Sequence, residues 1–351
     1  MAKALYRKYR PTSLSDVVGQ DQITKTLESS IKQGKISHAY LLIGPRGTGK
    51  TYGLMKYLID RHKPFIYLRR LQSQMDICKT EAGNPFRKLN ADYDYNISPK
   101  KRSKLAEFRS EGGEGDIVAI GVALSTVATI RGFDFSGYDY IVFDEAVPMT
   151  GEKPVKNEFE AFLNFYETVN RNRELQGSDA VKAMLLGNAN QLVNPYYSGW
   201  KFTRTAIKMI RGHQMIYNTP DGSRCMVQLL DSPISKKKAE TALYQNANNN
   251  FIAMAIDNTF RTDETMIGSK PLQEYNHIVS IGEIGIYKHK SKREYYVCGV
   301  TAKPYYDDYG MSLKLFRNDF CTLRIIYMMK KIFVFDTYET EILFRTYLKI
   351  E

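Results

Sequence analysis

Cysteine is scarce in this chain of 351 residues, and long apolar runs are missing. The four cysteines lie far apart and form no C-x-x-C pair, which argues against both a zinc site and a disulfide framework. No stretch approaches the roughly 20 apolar residues that span a bilayer, and the first residues lack the apolar core of a signal peptide. We therefore expect a cytoplasmic protein in a reducing compartment, without a membrane partner.

Positive charge, in contrast, is abundant. The chain carries 50 lysines and arginines against 38 acidic residues, which gives a formal net charge of +12. Such an excess favours a polyanionic partner such as a nucleic acid, although charge alone does not name an activity. The length is sufficient for two domains, each with its own core.

The strongest single motif is a glycine-rich octet at residues 44–51, with the sequence GPRGTGKT. It follows an apolar run at 39–43 that predicts a buried strand, and it precedes a predicted helix over 52–61. This order is the context of a phosphate-binding loop, in which backbone N–H groups and a helix N-terminus surround phosphate oxygens. The predicted ATP-binding residues are Gly44, Arg46, Gly47, Thr48, Gly49, Lys50 and Thr51.

Within this loop, Lys50 is expected to reach the β and γ phosphates, and the Thr51 hydroxyl is expected to hold Mg²⁺. A second motif lies about ninety residues later, where the apolar run at 140–143 ends in Asp144 and Glu145. Carboxylates at the end of a buried strand are costly unless a cation or a catalytic role uses them. We predict that Asp144 orients Mg²⁺ and that Glu145 polarises the attacking water; the alternative is an exposed acidic turn.

Arginines and lysines cluster at three further places. The predicted strand over 64–70 ends in Arg69 and Arg70, which would lie near phosphate, near a neighbouring subunit or simply in solvent. Two basic turns are candidates for contact with a nucleic-acid backbone, with a solvated loop as the alternative. Their predicted contact residues are Lys100, Lys101, Arg102, Lys288, Lys290, Lys292 and Arg293.

The first 51 residues resemble the start of the bacterial clamp-loader ATPase subunit, the gamma/tau chain of DNA polymerase III. The resemblance is carried by Tyr-Arg-Lys-Tyr-Arg-Pro at 6–11, by Asp-Val-Val-Gly-Gln at 16–20 and by His-Ala-Tyr at 38–40. It stops at the phosphate loop, because the cysteine module, the histidine after the acidic pair and the Ser-Arg-Cys finger of that family are missing.

Residues 40–351 resemble instead the DNA-packaging ATPases of small tailed phages of the phi29 type. The matching segments are the phosphate loop, 67–70, 141–145, 163–174, 187–189 with 194–196, and a stretch around 335–348. The chain therefore looks composite. Either recombination between two phosphate loops or an artificial joining of reading frames would produce it.

The packaging resemblance implies roles for two more residues. A predicted helix over 157–170 ends in Arg171-Asn172-Arg173, and in that family the first arginine acts as a finger in the neighbouring subunit's site, with Arg173 as the substitute here. The alternative is that these arginines pair with carbonyls at the helix C-terminus. Asn188 ends a predicted strand over 183–188, where ATPases of this class place a sensor of the γ-phosphate or the attacking water; the alternative is a strand cap.

The expected fold class is α/β: a P-loop NTPase of the additional-strand type with a mainly parallel sheet, plus a small C-terminal α+β domain. By resemblance, that second domain is RNase H-like and has lost the catalytic carboxylates of a nuclease. Asp307, Asp308 and Asp336 have no spacing that demands a metal ion, so we predict no nuclease activity. The expected boundaries are an N-terminal extension at 1–35, the ATPase domain at 36–231, a linker at 232–272 and the C-terminal domain at 273–351.

Together these features predict an ATP-driven motor that packages double-stranded DNA into a preformed phage head in the host cytoplasm. The expected cofactors are ATP and Mg²⁺. The expected partners are DNA, other copies of the chain in a ring, for which five is one option, the portal of the head, and as a further option a packaging RNA. The alternatives are a clamp-loader-like subunit in replication and a DNA-binding scaffold with a vestigial ATPase.

Overall fold

A computed structural model of the chain describes residues 37–43, 49–101, 104–130, 132–148, 152, 155–187, 194–212, 214–228, 266–329 and 332–350. It divides the chain into two compact units. The first comprises 1–189 and 215–247, and the second comprises 190–214 and 248–351. None of the helices in the described ranges has the length and apolar character required to cross a membrane.

The first unit is built on a nine-stranded sheet. Its strands are β1 (Ala39–Ile43), β2 (Phe65–Arg69), β3 (Ser98–Lys101), β4 (Ala106–Arg109), β5 (Ile117–Ala123), β6 (Tyr140–Phe143), β7 (Lys182–Gly187), β8 (Ile216–Asn218) and β9 (Arg224–Gln228). Their spatial order is β3-β4-β5-β2-β6-β7-β1-β9-β8. The six neighbouring strands β5, β2, β6, β7, β1 and β9 are parallel to one another. The outer strands β3, β4 and β8 pair antiparallel. The predicted α/β class with a large, mainly parallel sheet is confirmed.

Within the described ranges, four helices accompany this sheet: α1 (Lys50–Asp60), α2 (Gln72–Cys78), α3 (Arg87–Tyr93) and α4 (Glu158–Asn170). The central strand β6 is buried on both faces. Val142 belongs to the same core cluster as Leu54 and Leu58 of α1, whereas the Phe143 ring stacks on Phe162 of α4 at 5.8 Å. A strand covered on both faces must be apolar throughout, which explains the continuous apolar run at 140–143.

The second unit contains a six-stranded sheet. Its strands are β10 (Met266–Ile267), β11 (Tyr275–Ile281), β12 (Ile284–His289), β13 (Tyr295–Cys298), β14 (Tyr305–Tyr306) and β15 (Phe333–Phe335), in the order β10-β15-β13-β12-β11-β14. The meander β11-β12-β13 is antiparallel, whereas the other three strands pair parallel. The helices described in this unit are α5 (Pro195–Trp200), α6 (Thr203–Arg211), α7 (Gly310–Asp319), α8 (Cys321–Met329) and α9 (Tyr338–Leu348).

Helices α5 and α6 belong to a different unit from the one that the sequence predicted. The sequence placed them inside the ATPase domain at 36–231, but Ile207 of α6 packs into the apolar core of the second unit. The expected linker at 232–272 also differs, because Met266–Ile267 forms β10 and pairs with β15. Both differences arise from burial against residues distant in the chain, which local composition does not report.

Candidate nucleotide-binding site

The predicted loop and acidic pair meet at the carboxyl ends of β1 and β6. Of the loop residues, Gly44, Arg46, Gly47 and Thr48 lie outside the described part of the chain, whereas Gly49, Lys50 and Thr51 begin helix α1. Gly49 has φ 78°, a left-handed conformation that glycine adopts without the steric penalty of a side chain. The Thr51 hydroxyl donates a hydrogen bond of 2.6 Å to Oδ1 of Asp144. The two motifs therefore form one site.

Backbone hydrogen bonds fix the turn that carries the two carboxylates. The N–H of Asp144 donates to the carbonyl of Leu68 in β2 at 2.9 Å, and the N–H of Ala146 donates to the carbonyl of Leu186 in β7 at 2.8 Å. Between them, Glu145 has φ 50°, which is uncommon for a residue with a side chain. Held from both sides, the turn directs both carboxylates toward the strand ends rather than leaving them as an exposed loop.

Asp144 accepts three hydrogen bonds from two elements, α1 and β2. In addition to Thr51 of α1, the Tyr67 hydroxyl donates to Oδ2 at 2.8 Å and Nη1 of Arg69 donates to the same oxygen at 2.9 Å. Nη2 of Arg69 donates to Oε2 of Glu145 at 2.8 Å, so a single guanidinium joins both acids. The alternative of an exposed acidic turn is therefore inconsistent with the structure around Asp144.

The site is partly dehydrated, and this affects its titration. Lys50 is 8% exposed, and burial lowers its pKa to about 8, against the opposing effect of the negative charge on Asp144. Burial also raises the pKa of Tyr67 well above its ordinary value, with Asp144 acting in the same direction. Tyr67 is therefore a neutral hydrogen-bond donor at physiological pH, and Lys50 is a cation that nearby anions would stabilise.

Neither arginine at the end of β2 is solvated. Arg69 is 14% exposed and pairs with the two carboxylates, whereas Arg70 is fully buried. Nε and Nη2 of Arg70 donate to the carboxylate of Glu158 at 2.6 and 2.7 Å, and Nη1 donates to Glu152 at 2.6 Å. Arg69 is thus part of the candidate site, and Arg70 fixes the start of helix α4.

Sequence reasoning missed Tyr67 as a site residue and left the position of Arg69 open. One signal was available, because Tyr67 and Arg69 are two residues apart in a strand and therefore share a face of the sheet. Glu158, the partner of Arg70, gave no comparable signal. Its role depends on the approach of α4 to the end of β2, which the local sequence does not specify.

Arg171 lies away from the carboxylates of its own chain. It follows α4 in a left-handed conformation with φ 43° and forms an ion pair of 3.3 Å with Asp134. Arg173 donates to Asp139 at 2.7 Å and to the carbonyls of Ser136 and Tyr138, all of which precede β6. Asp144 follows β6, so the two arginines and the acidic pair lie at opposite ends of this strand.

The remaining predicted site residues are distributed as follows. Asn188 and Arg102 lie outside the described residues, and of Lys101 only the backbone is described. Lys100, on the edge strand β3, lies 3.8 Å from Glu114. Lys288, Lys292 and Arg293 are exposed at the β12–β13 turn, whereas Nζ of Lys290 donates to the carbonyl of Gln273 at 2.7 Å. Of the predicted site residues that the structure describes, those brought together are the last residues of the loop and the acidic pair.

The fold and this site define an α/β protein with a large, mainly parallel sheet, in which the helix that follows the glycine-rich segment contacts an acidic strand end. The chain belongs to the podovirus DNA encapsidation protein (Gp16) family, whose sequence profile matches residues 32–310. The phage resemblance seen in the sequence is thereby confirmed, together with the expected class of DNA-packaging protein.

Two kinds of sequence relative match different parts of the chain. The DNA packaging protein of Bacillus phage phi29 is 29% identical over 162 residues, which cover 44% of this chain and 44% of that protein. The DNA polymerase III subunit tau of Bacillus subtilis is 63% identical over 49 residues, 14% of this chain and 9% of that protein. The chain thus matches less than half the length of either relative, and the clamp-loader similarity is confined to a short segment.

Solved structures resemble the fold over most of the chain. The bacteriophage Phi-29 viral genome packaging motor assembly aligns with a TM-score of 0.54 and 17% identity, covering 91% of this chain and 98% of the other. The Phi-28 gp11 DNA packaging motor aligns with a TM-score of 0.50 and 20% identity, covering 92% and 98%. At these identities the likeness supports a shared fold.

Proposed function

We propose that this protein is an ATP-driven motor that moves double-stranded DNA into a preformed phage head. The observation that carries the proposal is the hydrogen bond of 2.6 Å between Thr51 and Asp144, next to the buried Lys50. It joins the end of a phosphate-binding loop to an acidic strand end, as coupled nucleotide and metal binding requires. Membership in the DNA encapsidation family supports packaging as the use of that energy.

The proposed ATPase belongs to the additional-strand class of P-loop NTPases. Strand β7 lies between β1, which precedes the phosphate loop, and β6, which carries the acidic pair, and this order supports the assignment. In this proposal the N–H groups of Gly44, Arg46, Gly47, Thr48 and Gly49 surround the phosphates, together with Lys50 and Thr51. Asn188, directly after β7, is the proposed sensor.

The oxygen donors at the site suit Mg²⁺, which prefers hard oxygen ligands and keeps several waters. The Thr51 hydroxyl and the Asp144 carboxylate are the proposed metal-binding groups, and their contact of 2.6 Å keeps these oxygens together. When bound, Mg²⁺ would neutralise charge on the phosphates. Glu145 is the proposed polariser of the attacking water, and its carboxylate is oriented by Nη2 of Arg69.

The position of Arg171 supports a ring of identical chains. Because Arg171 and Asp144 lie at opposite ends of β6, Arg171 is unable to serve the site of its own chain. Its side chain is 49% exposed, which leaves it available to a neighbour. We propose that Arg171 is the finger that completes an adjacent site. Arg173, held by three hydrogen bonds, is better suited to a structural role.

The second unit is proposed to be an RNase H-like domain without nuclease activity. Its antiparallel meander, which lies beside parallel strands and helices, supports an RNase H-like fold. Nη2 of Arg204 lies 3.7 Å from Oδ2 of Asp336 and supplies positive charge beside this carboxylate. Lys288, Lys292 and Arg293 at the β12–β13 turn are proposed contacts for a DNA or RNA backbone. The phage portal and a packaging RNA remain proposed partners, and the host cytoplasm is the proposed site of assembly.

The test is steady-state ATP hydrolysis by the purified chain with and without double-stranded DNA. Lys50→Ala and Arg171→Ala should each abolish DNA-stimulated turnover. Mixing Arg171→Ala with Glu145→Ala chains should restore part of it, because an intact site of the first then meets an intact arginine of the second. A parent chain without turnover, with or without empty heads bearing a portal, would refute the proposal. Stimulation by a sliding clamp and primed template would favour the clamp-loader alternative.

A further inference from the structure

A polar cleft of about 810 Å³ opens at the starts of β6 and β7, away from the acidic pair. Its wall includes four cationic side chains, Lys63, Arg171, Arg173 and Lys182, and two acidic ones, Asp139 and Asp179. The volume is within the range of roughly 300–1,000 Å³ that is typical of small-molecule sites. The cleft thus has the size of a ligand site and an excess of positive charge.

The four cations differ in how they are held. Arg173 is 14% exposed and fixed by Asp139 and two carbonyls. Among the described residues, Arg171 has only the long contacts of 3.3 and 3.4 Å to Asp134 and Phe133. Lys63 is exposed and Lys182 half-buried. Neither ammonium group has a hydrogen-bond or ion-pair partner among the described residues. Two lysines with uncompensated charge therefore share a wall with the proposed finger.

We propose that Lys63 and Lys182 bind the phosphates of a nucleotide held in the phosphate loop of a second copy of the chain. The inference rests on the proposed ring, and it adds two binding residues to Arg171. Ammonium groups bind phosphate as point charges, whereas a guanidinium binds it through a planar fork, so the three side chains complement one another. Arg173 and its partner Asp139 form the fixed part of the wall.

The lining favours a nucleotide over DNA. Asp139 and Asp179 interrupt the positive surface, which disfavours a long backbone with evenly spaced charge. The hydroxyls of Ser136 and Ser178 and the amide of Gln176 also line the cleft and would suit the hydroxyl groups of a ribose. A compact ligand that combines concentrated negative charge with hydroxyl groups fits this mixture.

The inference is tested with the double variant Lys63→Ala/Lys182→Ala. We expect the KM for ATP to rise about tenfold while kcat changes less than about twofold, because ground-state binding of phosphate is lost. Lys63→Arg/Lys182→Arg should recover most of the affinity. Lys314→Ala, which removes an exposed lysine of α7 in the second unit, is the matched control and should leave KM unchanged. The thermal unfolding midpoint of each variant verifies that it folds.

Mixing shows whether the lysines act on a neighbour. Chains with Lys63→Ala/Lys182→Ala are combined with Glu145→Ala chains, whose cleft is intact but whose own site is inactive. The KM of the active sites should return toward the parental value as the share of Glu145→Ala chains increases. An unchanged defect in the mixture, or an unchanged KM in the double variant alone, would overturn the inference. If the double variant instead has a normal KM for ATP but weakened, strongly salt-dependent DNA binding, the cleft binds DNA. That result would also overturn the inference.

Direct binding separates this inference from the motor proposal. A fluorescent, non-hydrolysable ATP analogue is titrated into assembled parent and variant chains in the presence of Mg²⁺. In one outcome, the parent binds the analogue without hydrolysing ATP, and the double variant binds it about tenfold more weakly. That result would support phosphate binding by the cleft and refute the proposed motor function. Equal affinities in parent and variant would refute the cleft whatever the outcome for hydrolysis.

Discussion

Arg70 and Glu158 form a buried bidentate ion pair that joins the end of β2 to the start of α4. Arg70 is 0% exposed, Glu158 is 2% exposed, and Nε and Nη2 of Arg70 contact the carboxylate at 2.6 and 2.7 Å. Arg69, the neighbouring residue, instead contacts the acidic pair that follows β6. Adjacent arginines thus have separate tasks, one in the scaffold and one in the site.

The first prediction concerns this buried pair. Glu158→Gln should lower the free energy of unfolding by about 3 kcal/mol, because it removes the buried carboxylate from Arg70 and leaves the partly exposed Glu152 as the remaining described countercharge. The double variant Arg70→Met/Glu158→Leu should recover much of that loss, since neither charge then remains buried. Urea unfolding measures both. Glu160→Gln, an exposed change in the same turn of α4, is the control, and an equal effect at Glu160 would contradict the prediction.

The second prediction concerns Arg69. In the nucleotide-free protein, Arg69→Ala should lower the free energy of unfolding by about 2–4 kcal/mol, because the largely buried Asp144 loses a charged donor. The ion pair of Arg69 with Glu145 contributes less to this loss of stability, since Glu145 is 42% exposed and screened by solvent. Mg²⁺ should stabilise the variant more than the parent. The comparison is urea unfolding with and without Mg²⁺, with exposed Arg87→Ala as the control; indistinguishable responses to Mg²⁺ would speak against a shared carboxylate.

The third prediction concerns pH and Lys50. Burial lowers the pKa of Lys50 to about 8, and bound phosphate should raise it, so ATP affinity should fall as the pH rises above about 8. Binding at pH 9 should therefore take up protons, which calorimetry in buffers of different ionisation enthalpy detects. Lys50→Arg, which stays charged, should remove this pH dependence. Constant ATP affinity between pH 7 and 9.5 in the parent would contradict the assignment.

The same pKa has a consequence for stability. In the unfolded chain the pKa of Lys50 is near its ordinary value of 10.5. Between about pH 8 and pH 10.5 the unfolded chain therefore binds more protons than the folded chain. The contribution of Lys50 to stability therefore increases with pH across that window. At pH 7 the folded protein carries a dehydrated charge, and Lys50→Met should raise the unfolding midpoint by about 2–6 °C. ATP should no longer shift this midpoint in the variant, as a thermal scan would show.

The fourth prediction concerns Gly187 at the end of β7. A Cβ atom there would lie 2.6 Å from Cγ2 of Val147 and 2.7 Å from Cδ1 of Ile43. Gly187→Ala should displace the end of β1, directly before the phosphate loop, and should weaken ATP binding at least about tenfold. Gly137→Ala is the matched control, because no atom lies within 4 Å of its added Cβ. Equal ATP affinities of the two variants in equilibrium titrations would refute the steric argument.

The buried core of the first unit could be predicted closely from the sequence. Strands β1 and β6 have the predicted bounds, 39–43 and 140–143, and the helix expected at 157–170 is observed as Glu158–Asn170. Strands buried on both faces leave continuous apolar runs, which local patterns reveal. The polar edge strand β3 leaves no such run, and the sequence indicated a basic turn there instead of a strand.

The order of the strands and the contacts across them could not be predicted. Whether Arg69 reaches Asp144 depends on β2 lying beside β6, and that pairing joins residues 75 positions apart. The placement of α6 depends likewise on Ile207 packing into a core formed mainly by residues after 278. Local periodicity determines which face of an element is apolar, but not which partner covers it.

The grouping of residues 190–214 with the second unit means that the chain passes between the units three times. It leaves the first sheet after β7, returns before β8 and leaves again after β9. A single cut in the gene can therefore not separate the two units: a fragment beginning at residue 248 would lack Ile207 from its core and Arg204 beside Asp336. The short clamp-loader-like start could be exchanged by one crossover. The segments of the two units alternate along the sequence, so both units would have to be inherited together.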